Sequence, residues 1–485
     1  MSTTQGSADS SRTVALVTLG CARNDVDSEE LAGRLSADGW TIVDEPSDAE
    51  AIVVNTCGFI ESAKKDSIDA LLAAADLKGS TNVQAVVAVG CFAQRYGEEL
   101  SDVLPEADAV LGFDAYPDLG ARLRRIVQGE RPASHTPTDR RLVLPISPAQ
   151  RPAASEDVVL PGHAARVGQG GVGEVVRRRL AGGPTAPLKL ASGCDRRCSF
   201  CAIPSFRGAF VSRPAEEVIA EAHWLAEQGV REVVLVSENT TSYGKDLGGT
   251  HLLASLLRDL AQVPGLQWVR TSYLQPAEMR PEILAAIAGT PGVVPYFDMS
   301  FQHASADVLR RMRRFGNTED FLALIAQMRD AAPECGIRSN VIVGFPGETD
   351  ADVAELENFL VNARLDAVGV FGFSPEDGTE AAALAGQIDP IEVAARVERV
   401  SALVDELVSQ RAEDRVGQKV DVLIESVSGH GAEGRAAHQA PEVDGCATVS
   451  WEPATHENFK VGDIVTGVVQ SSDGADLVVR VGAKS

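Results

Sequence analysis

The stretch 187-PLKLASGCDRRCSFCAIP-204 decides how the chain is to be read. Its first six residues have the apolar character of a short buried strand. Cys194, Cys198 and Cys201 follow on one loop with the spacing CxxxCxxC. Three thiolates this close can hold a soft metal or a cluster. A structural zinc wants four ligands, so a zinc reading has to borrow a distant His or Cys. In a 4Fe–4S cluster, three thiolates leave one iron open for a substrate or cofactor.

Working outward toward the C-terminus, five more apolar stretches follow: EVVLVSE (232–238), QWVRTSY (267–273), YFDMSF (296–301), RSNVIVGF (338–345) and AVGVFGF (367–373). Helix-compatible segments separate them, among them 215–229 and 318–331. Repeated β/α units of this kind predict a partial (β/α)6 barrel over residues 186–411, with its chemistry at the carboxyl ends of the strands. After a last helix near 391–415 the pattern changes to alternation. KVDVLIESV, CATVSW, DIVTGVVQ and LVVRV predict a small antiparallel β-barrel over residues 412–485.

Toward the N-terminus, 14-VALVTLG-20, 51-AIVVNT-56 and 84-QAVVAVG-90 read as β-branched strands, each followed by a helical stretch. Strands alternating with helices predict a parallel α/β sheet domain over residues 13–128. Cys21, Cys57 and Cys91 each lie at the end of one of these strands. Parallel strands place their βα loops on one edge, so the three thiols are expected to converge there as a second three-thiolate site. Three unrelated buried cysteines are the alternative, a common fate of free Cys. Cys335 and Cys446 lack such company and read as structural.

Between these two regions, residues 129–185 are rich in Pro, Gly, Ala and Arg. Residues 121–185 carry 11 Arg against 5 acidic residues inside an acidic chain. With no aromatic interleaving and little periodic apolar face, the segment reads as a solvated linker or insertion, with an RNA-touching or acid-binding patch as the alternative. Residues 1–12 are small and polar and read as a disordered tail.

Composition bounds the function. At 485 residues the chain suggests about three domains of roughly 150 residues. Hydrophobic residues at 44% and charged residues at 23% allow sizeable cores. Asp and Glu number 69 against 44 Lys and Arg, a formal charge of -25 that argues against a general nucleic-acid binder and favours a basic partner. Of the basic residues, 36 are Arg and 8 Lys, a bias of the kind a GC-rich genome produces. No stretch approaches the roughly 18 to 20 apolar residues of a membrane span. The start, MSTTQGSADSSR, lacks the apolar core of a signal peptide. A cytoplasmic protein with no membrane association is therefore expected, and its eight cysteines point to metal or redox chemistry before disulfides.

At GCDRRCSFCAIP the sequence resembles the radical S-adenosylmethionine (SAM) enzymes. The stretches 19-LGCARNDVDSE-29, 54-VNTCGFIESA-63 and 89-VGCFAQR-95 resemble the methylthiotransferases among them. Those enzymes have a three-cysteine N-terminal domain, a radical SAM barrel and a C-terminal TRAM domain. Two branches compete, one modifying an adenosine of transfer RNA and one modifying a ribosomal protein. The stretches 203-IPSFRGAFVSRP-214, 301-FQHAS-305, 338-RSNVIVGFPGET-349 and 439-QAPEVDG-445 resemble the ribosomal, RimO-type branch. The C-terminal region is acidic, with 5 basic against 10 acidic residues over 416–485, which suits a basic ribosomal protein better than phosphate. Two departures from the family are the Arg-rich segment and 271-TSYLQPAEM-279, which is less aromatic than its counterpart.

The resemblance implies two 4Fe–4S clusters, one on Cys194, Cys198 and Cys201 and one on Cys21, Cys57 and Cys91, with SAM bound at the first. It implies transfer of a methylthio group to the β-carbon of an aspartate of ribosomal protein S twelve, free or in the small subunit. An unactivated C–H bond there calls for a radical, which the cofactor supplies while the protein positions it. An electron donor such as flavodoxin or ferredoxin and a sulfur source are implied partners, and a monomer is expected. Implied SAM contacts are Phe200 near the adenine, Glu238 and Asn239 at the end of the second barrel strand, Arg338 toward the SAM carboxylate, and Gly344 and Gly347 beside the adenine. A core role for Phe200, capping for Glu238 and Asn239, and a plain tight turn for the two glycines are the alternatives. His303 reads as structural, and no catalytic residue beyond the cluster ligands is assigned. A non-enzymatic iron–sulfur electron-transfer protein is the rival from another class.

Overall fold

The computed structural model describes residues 12–155, 158–163, 176–428, 431–441, 443–451 and 459–482. The tail expected at residues 1–12 lies, apart from Arg12, outside the described residues. Two compact units result. One is built on the chain up to residue 181 together with 203–209, and the other on 182–202 and from 210 onward.

The first unit holds a sheet of β1 (Thr13–Thr18), β2 (Thr41–Ile42), β3 (Ala51–Thr56), β4 (Ala85–Val89) and β5 (Ala109–Val110). The strand order is β2-β1-β3-β4-β5 and every pairing is parallel. β3 and β4 are buried at every residue, because helices cover both faces and a strand so covered must be apolar throughout. Helices Ala22–Ala37, Glu61–Asp76 and Gly90–Val103 make the crossovers that parallel pairing requires. β2 and β5, two residues each, carry no periodic signal, and the sequence reading missed them.

The Arg-rich segment is anchored on this unit at several points between exposed stretches, which corrects the expectation of a solvated linker. The His135 amide donates to the Val110 carbonyl, and the His135 ring lies 2.9 Å from the Gln94 side chain. Arg140 is buried, 3.1 Å from Asp114 and donating to the Val159 carbonyl. Arg177 is buried against Glu29 at 2.6 Å. Many of the anchors are guanidinium bonds to carboxylates and carbonyls, which leave no apolar period to read. Residues 164–175 of the segment lie outside the described residues.

The second unit opens with β6 (Thr185–Lys189), β7 (Ala191–Ser192), β8 (Val211–Ser212), β9 (Glu232–Val236), β10 (Trp268–Thr271), β11 (Tyr296–Gln302), β12 (Gly336–Val343) and β13 (Ala367–Gly372). β6, β9 and β10 pair in parallel, as do β11, β12 and β13. A parallel bridge at Leu274–Met299 links the two sheets. The six expected strands therefore stand in sequence order as an open β/α barrel. The short antiparallel ribbon of β7 and β8 was not expected; it sits at the two ends of the cysteine-bearing stretch.

The C-terminal strands β14 (Lys419–Ser428), β15 (Gly431–Ala436), β16 (Ala447–Trp451), β17 (Ile464–Asp473) and β18 (Asp476–Val481) close a barrel in the order β14-β15-β16-β18-β17. Four of its pairings are antiparallel and β16–β18 is parallel, a correction to the all-antiparallel expectation. β15 went unread because GAEGRA has no β-branched residue. Its small residues are required by packing, since a Cβ on Gly434 would fall 2.0 Å from the Leu423 carbonyl oxygen.

This small barrel seats on the amino ends of the β/α strands. Glu232, the first residue of β9, is fully buried between Arg270 of β10 at 2.6 Å and Arg435 of β15. Arg270 donates to the Ala437 carbonyl at 2.9 Å and lies over the Tyr296 ring at 4.7 Å. Tyr296 donates to Asp444, and Trp268, Val294, Tyr296, Leu423 and Ala440 form an apolar cluster beneath. Asp366, just before β13, takes Arg411 at 3.1 Å and Arg415. Burial pushes the Glu232 carboxyl up, but the two arginines outweigh it and hold its pKa below the ordinary value. The stabilisation is complete above the ordinary Glu range and is lost as pH falls through the folded pKa. Glu232→Leu leaves Arg270 buried without its carboxylate. It is expected to cost about 3–5 kcal/mol in urea unfolding of the whole chain; an unchanged midpoint would show that the pair contributes nothing.

Candidate functional site

The three expected thiols of the first unit do share one edge of its sheet. Cys21 is the N-cap of helix Ala22–Ala37, Cys57 directly follows β3, and Cys91 is the second residue of helix Gly90–Val103. Two glycines bring these loops together. Gly20 has φ +101°, and a Cβ there would lie 2.9 Å from the Cys57 Sγ. Gly90 has φ +90°, and its Cβ would overlap the Asn55 side chain at 2.2 Å. Both conformations and both approaches are open only to glycine.

Polar groups fix the loops. The Asn24 amide nitrogen donates to the Leu19 carbonyl at 2.8 Å, and Ser67 Oγ accepts from the Cys57 amide at 3.0 Å while donating to its carbonyl at 2.9 Å. The thiols feel one another's charge and that of two arginines. Burial pushes the Cys91 thiol up to about 11, with Cys57 and Cys21 adding to the rise and Arg207 opposing it. Burial also raises Cys57. At Cys21 burial acts upward, but Arg23, donating from Nε to Sγ at 3.4 Å, and Arg207 outweigh it and the pKa falls.

Cys194, Cys198 and Cys201 are half-buried on the loop that follows β7, at the carboxyl end of the first barrel strand. Burial raises the Cys194 thiol, and Cys201, Cys198 and Glu238 raise it further, so Glu238 lies within electrostatic reach of the thiol trio. The loop is pinned from several sides. Ser199 donates through its amide to the Met312 carbonyl at 3.1 Å and through Oγ to the Arg311 carbonyl at 2.8 Å. The Ala381 amide donates to the Ser199 carbonyl at 2.8 Å. Arg314, buried, reaches the Cys198 Sγ at 3.7 Å.

Among the other expected contacts, Asn239 is buried in a polar network. Its amide nitrogen donates to Ser242 at 2.8 Å and reaches Glu278 at 3.4 Å. Phe200 packs on the cluster of Val308, Met312, Phe345 and Ala381. Gly344 has φ +78° and donates its amide to Glu348 at 2.8 Å; Gly347 has φ +76° and donates to the Gly386 carbonyl at 2.8 Å. A Cβ on Gly344 would meet Val393 at 2.6 Å, so the turn itself demands glycine. Arg338 differs from expectation. It is the third residue of β12, near the amino end, where its Nε lies 3.6 Å from Asp444 and its charge also meets Asp298. Its charge is answered inside the protein. His303 is fully buried, accepts from the Ser305 amide on Nδ1 at 3.0 Å and faces Glu348 at 3.4 Å through Nε2, which fits the structural reading.

Sequence reasoning missed two groups. Glu278 receives Arg196 at 2.7 Å, Lys245 at 2.7 Å and Ser242 at 2.6 Å, tying the CxxxCxxC loop to the carboxyl edge of β9 and β10. The Arg196 between the cysteines was the one visible signal. Arg207 in the first unit touches Asp27, Asn24 and Cys91. It stands in the quoted 203-IPSFRG-208 stretch, but no spacing rule links it to thiols more than a hundred residues away.

Family models match the chain in three places: an uncharacterized protein family, UPF0004, at residues 13–112; the radical SAM superfamily at 188–360; and the TRAM domain at 416–481. A ribosomal protein uS12 methylthiotransferase RimO of Kineococcus radiotolerans is 62% identical over 97% of this chain and 97% of its own. Proteins of the same name from Streptomyces avermitilis and Cutibacterium acnes are 60% and 58% identical, covering 97% and 98% of this chain and 96% and 98% of their own. The chain belongs to the RimO family of radical SAM methylthiotransferases.

A similar fold occurs in the radical SAM methyltransferase TsrM from Kitasatospora setae, solved with cobalamin and a [4Fe-4S] cluster. The TM-score is 0.51 at 16% identity, over 75% of each chain. That likeness is one of fold.

The donor sets fit the iron–sulfur cluster that the family implies. Each trio is made of thiols alone, and thiolates are the ligands of such clusters. The different settings of the thiols are testable in cluster-free, reduced protein. Iodoacetamide at mildly alkaline pH is expected to modify Cys21 ahead of Cys91, as read by peptide mass spectrometry. Equal rates would show that Arg23 and Arg207 do not set the difference.

Proposed function

We propose that this chain transfers a methylthio group to the β-carbon of an aspartate of ribosomal protein uS12. The observation that carries the reading is the near 60% identity, over almost the whole length, to enzymes named for that reaction. Two separate trios of thiols at the carboxyl edges of parallel strands support it. Cys194, Cys198 and Cys201 hold one 4Fe–4S cluster, and Cys21, Cys57 and Cys91 hold a second. When bound, these groups with SAM supply the radical that breaks an unactivated C–H bond and the sulfur that replaces the hydrogen.

The protein's own part is to hold and to shield. Ser199, Arg196 and Arg314 keep the CxxxCxxC loop in one conformation, so that the thiols are presented without a cost of ordering at each turnover. Glu238 and Asn239, beside Cys194 and Glu278, contact the polar end of SAM. Phe200 and the backbone at Gly344 and Gly347 line its adenine. Arg338 is left out of that set, because Asp444 and Asp298 already answer its charge.

The small barrel carries a net negative charge and docks the basic substrate protein. Its seat on the amino ends of the strands leaves the carboxyl edge to the chemistry. A flavodoxin- or ferredoxin-like electron donor and a sulfur source complete the reaction. Among the described residues no helix is long and apolar enough to cross a membrane, and a cytoplasmic setting suits a ribosomal substrate.

Anaerobically reconstituted protein should carry about eight irons, two clusters of four. Cys198→Ala should abolish 5'-deoxyadenosine formation, whereas Cys57→Ala should spare it and stop sulfur insertion. Loss of SAM cleavage in both variants, with folding intact, would defeat the division of labour. Offered uS12 and transfer RNA together, the enzyme should leave the methylthio mass on uS12. Modification of the RNA alone would reverse the substrate assignment.

A further inference from the structure

Arg207 is buried, and its guanidinium makes directed contacts within the first unit. Nη1 donates to Asp27 Oδ2 at 2.8 Å, while Nη2 donates to Asn24 Oδ1 at 2.8 Å and to Cys91 Sγ at 3.1 Å. Its plane lies over the Phe113 ring at 5.2 Å.

A simple tertiary ion pair with Asp27 would need one arm of the fork. The other arm is spent on a sulfur and on the Asn24 side chain, which itself ties the Cys21 loop to the carbonyls of Leu19 and Thr56. A flat, permanently charged fork makes such divided contacts, and a lysine ammonium does not. In sequence Arg207 follows Cys201 by six residues and is the last residue of the helix Ile203–Arg207.

We infer that Arg207 is a positioning and charge-setting residue of the Cys21–Cys57–Cys91 site, raising the reduction potential of the cluster held there. The inference rests on the second-cluster reading given above. Reduction adds one electron, and so one negative charge, to a cluster. A buried cation and an N–H···S bond both favour that added charge, and net charge and hydrogen bonds to sulfur are among the recognised determinants of such potentials. Low local dielectric strengthens both effects. Asp27 opposes the cation but sits on the arm away from the sulfur, so the N–H···S bond keeps its direction.

The test isolates this site in the full chain carrying Cys194→Ala, Cys198→Ala and Cys201→Ala, reconstituted anaerobically and titrated by EPR at controlled potentials. About four irons should remain. Adding Arg207→Gln should move the midpoint to lower potential at the same iron content. Arg207→Lys, which keeps the charge beside Asp27 and loses the fork, should move it in the same direction by less. The lysine variant keeps the inference open to refutation even where the glutamine variant loads poorly. Unchanged midpoints at equal iron content would overturn this inference alone. Absence of iron from the parent with Arg207 intact would overturn it together with the second-cluster reading.

Discussion

A parallel strand can pair with its neighbour only if the chain returns to the same end, and everything functional in this protein depends on that constraint. Each crossover delivers its βα loop to the same edge, so residues about 35 positions apart in sequence become neighbours. Cys21, Cys57 and Cys91 share one edge for this reason. The CxxxCxxC loop uses the same geometry once, after the first strand of the second sheet system, where three thiols already lie close in sequence. What the constraint does not provide is the last few ångströms of approach. Gly20 and Gly90 do that, by adopting positive φ and by lacking the Cβ that would strike Cys57 or Asn55.

Buried charge divides the labour between the two ends of the strands in the second unit. Glu232 and Asp366 sit at the amino ends; Glu232 is met by Arg270 of β10 and Arg435 of the small barrel, and Asp366 by Arg411 and Arg415 from the stretch that leads into that barrel. Taking these groups from water is expensive, and they persist because each is paired. The amino ends are thereby closed. At the carboxyl ends the arginines face sulfur or the Glu278 network, as Arg314 and Arg196 do. In the first unit Arg207 follows the same pattern beside Cys91. Guanidinium groups thus serve in one place as structural clamps and in another as the surroundings of cysteine sulfurs.

The Arg-rich segment shows how composition misleads when its partners are unknown. Eight arginines over 129–185 with few apolar residues suggest a hydrated linker. In the folded protein Arg140, Arg151 and Arg177 are buried, donating to carboxylates and to backbone carbonyls such as those of Val159 and Pro145. An arginine brings five donors to such bonds, so a segment can be anchored without a hydrophobic face. The β15 strand is the converse case. Glycine and alanine there are read as a loop, yet close approach to Leu423 makes them the residues that fit.

Much of this protein was legible in its sequence. Apolar runs located β1, β3 and β4 and the six barrel strands; at β3 and β4 the reason is plain, because a strand buried on both faces has to be apolar throughout. The cysteine spacings located both thiol trios, because alternation of strand and helix already implies a common edge. The tertiary structure alone decided which charges are answered and by what. Arg338 was expected to await a ligand and instead faces Asp444, 106 residues away in sequence. Arg207 and Glu278 carried no signal of their roles. Local periodicity records which face of an element is buried, whereas the partner of a buried charge is chosen by distant parts of the chain, and that information exists only after folding.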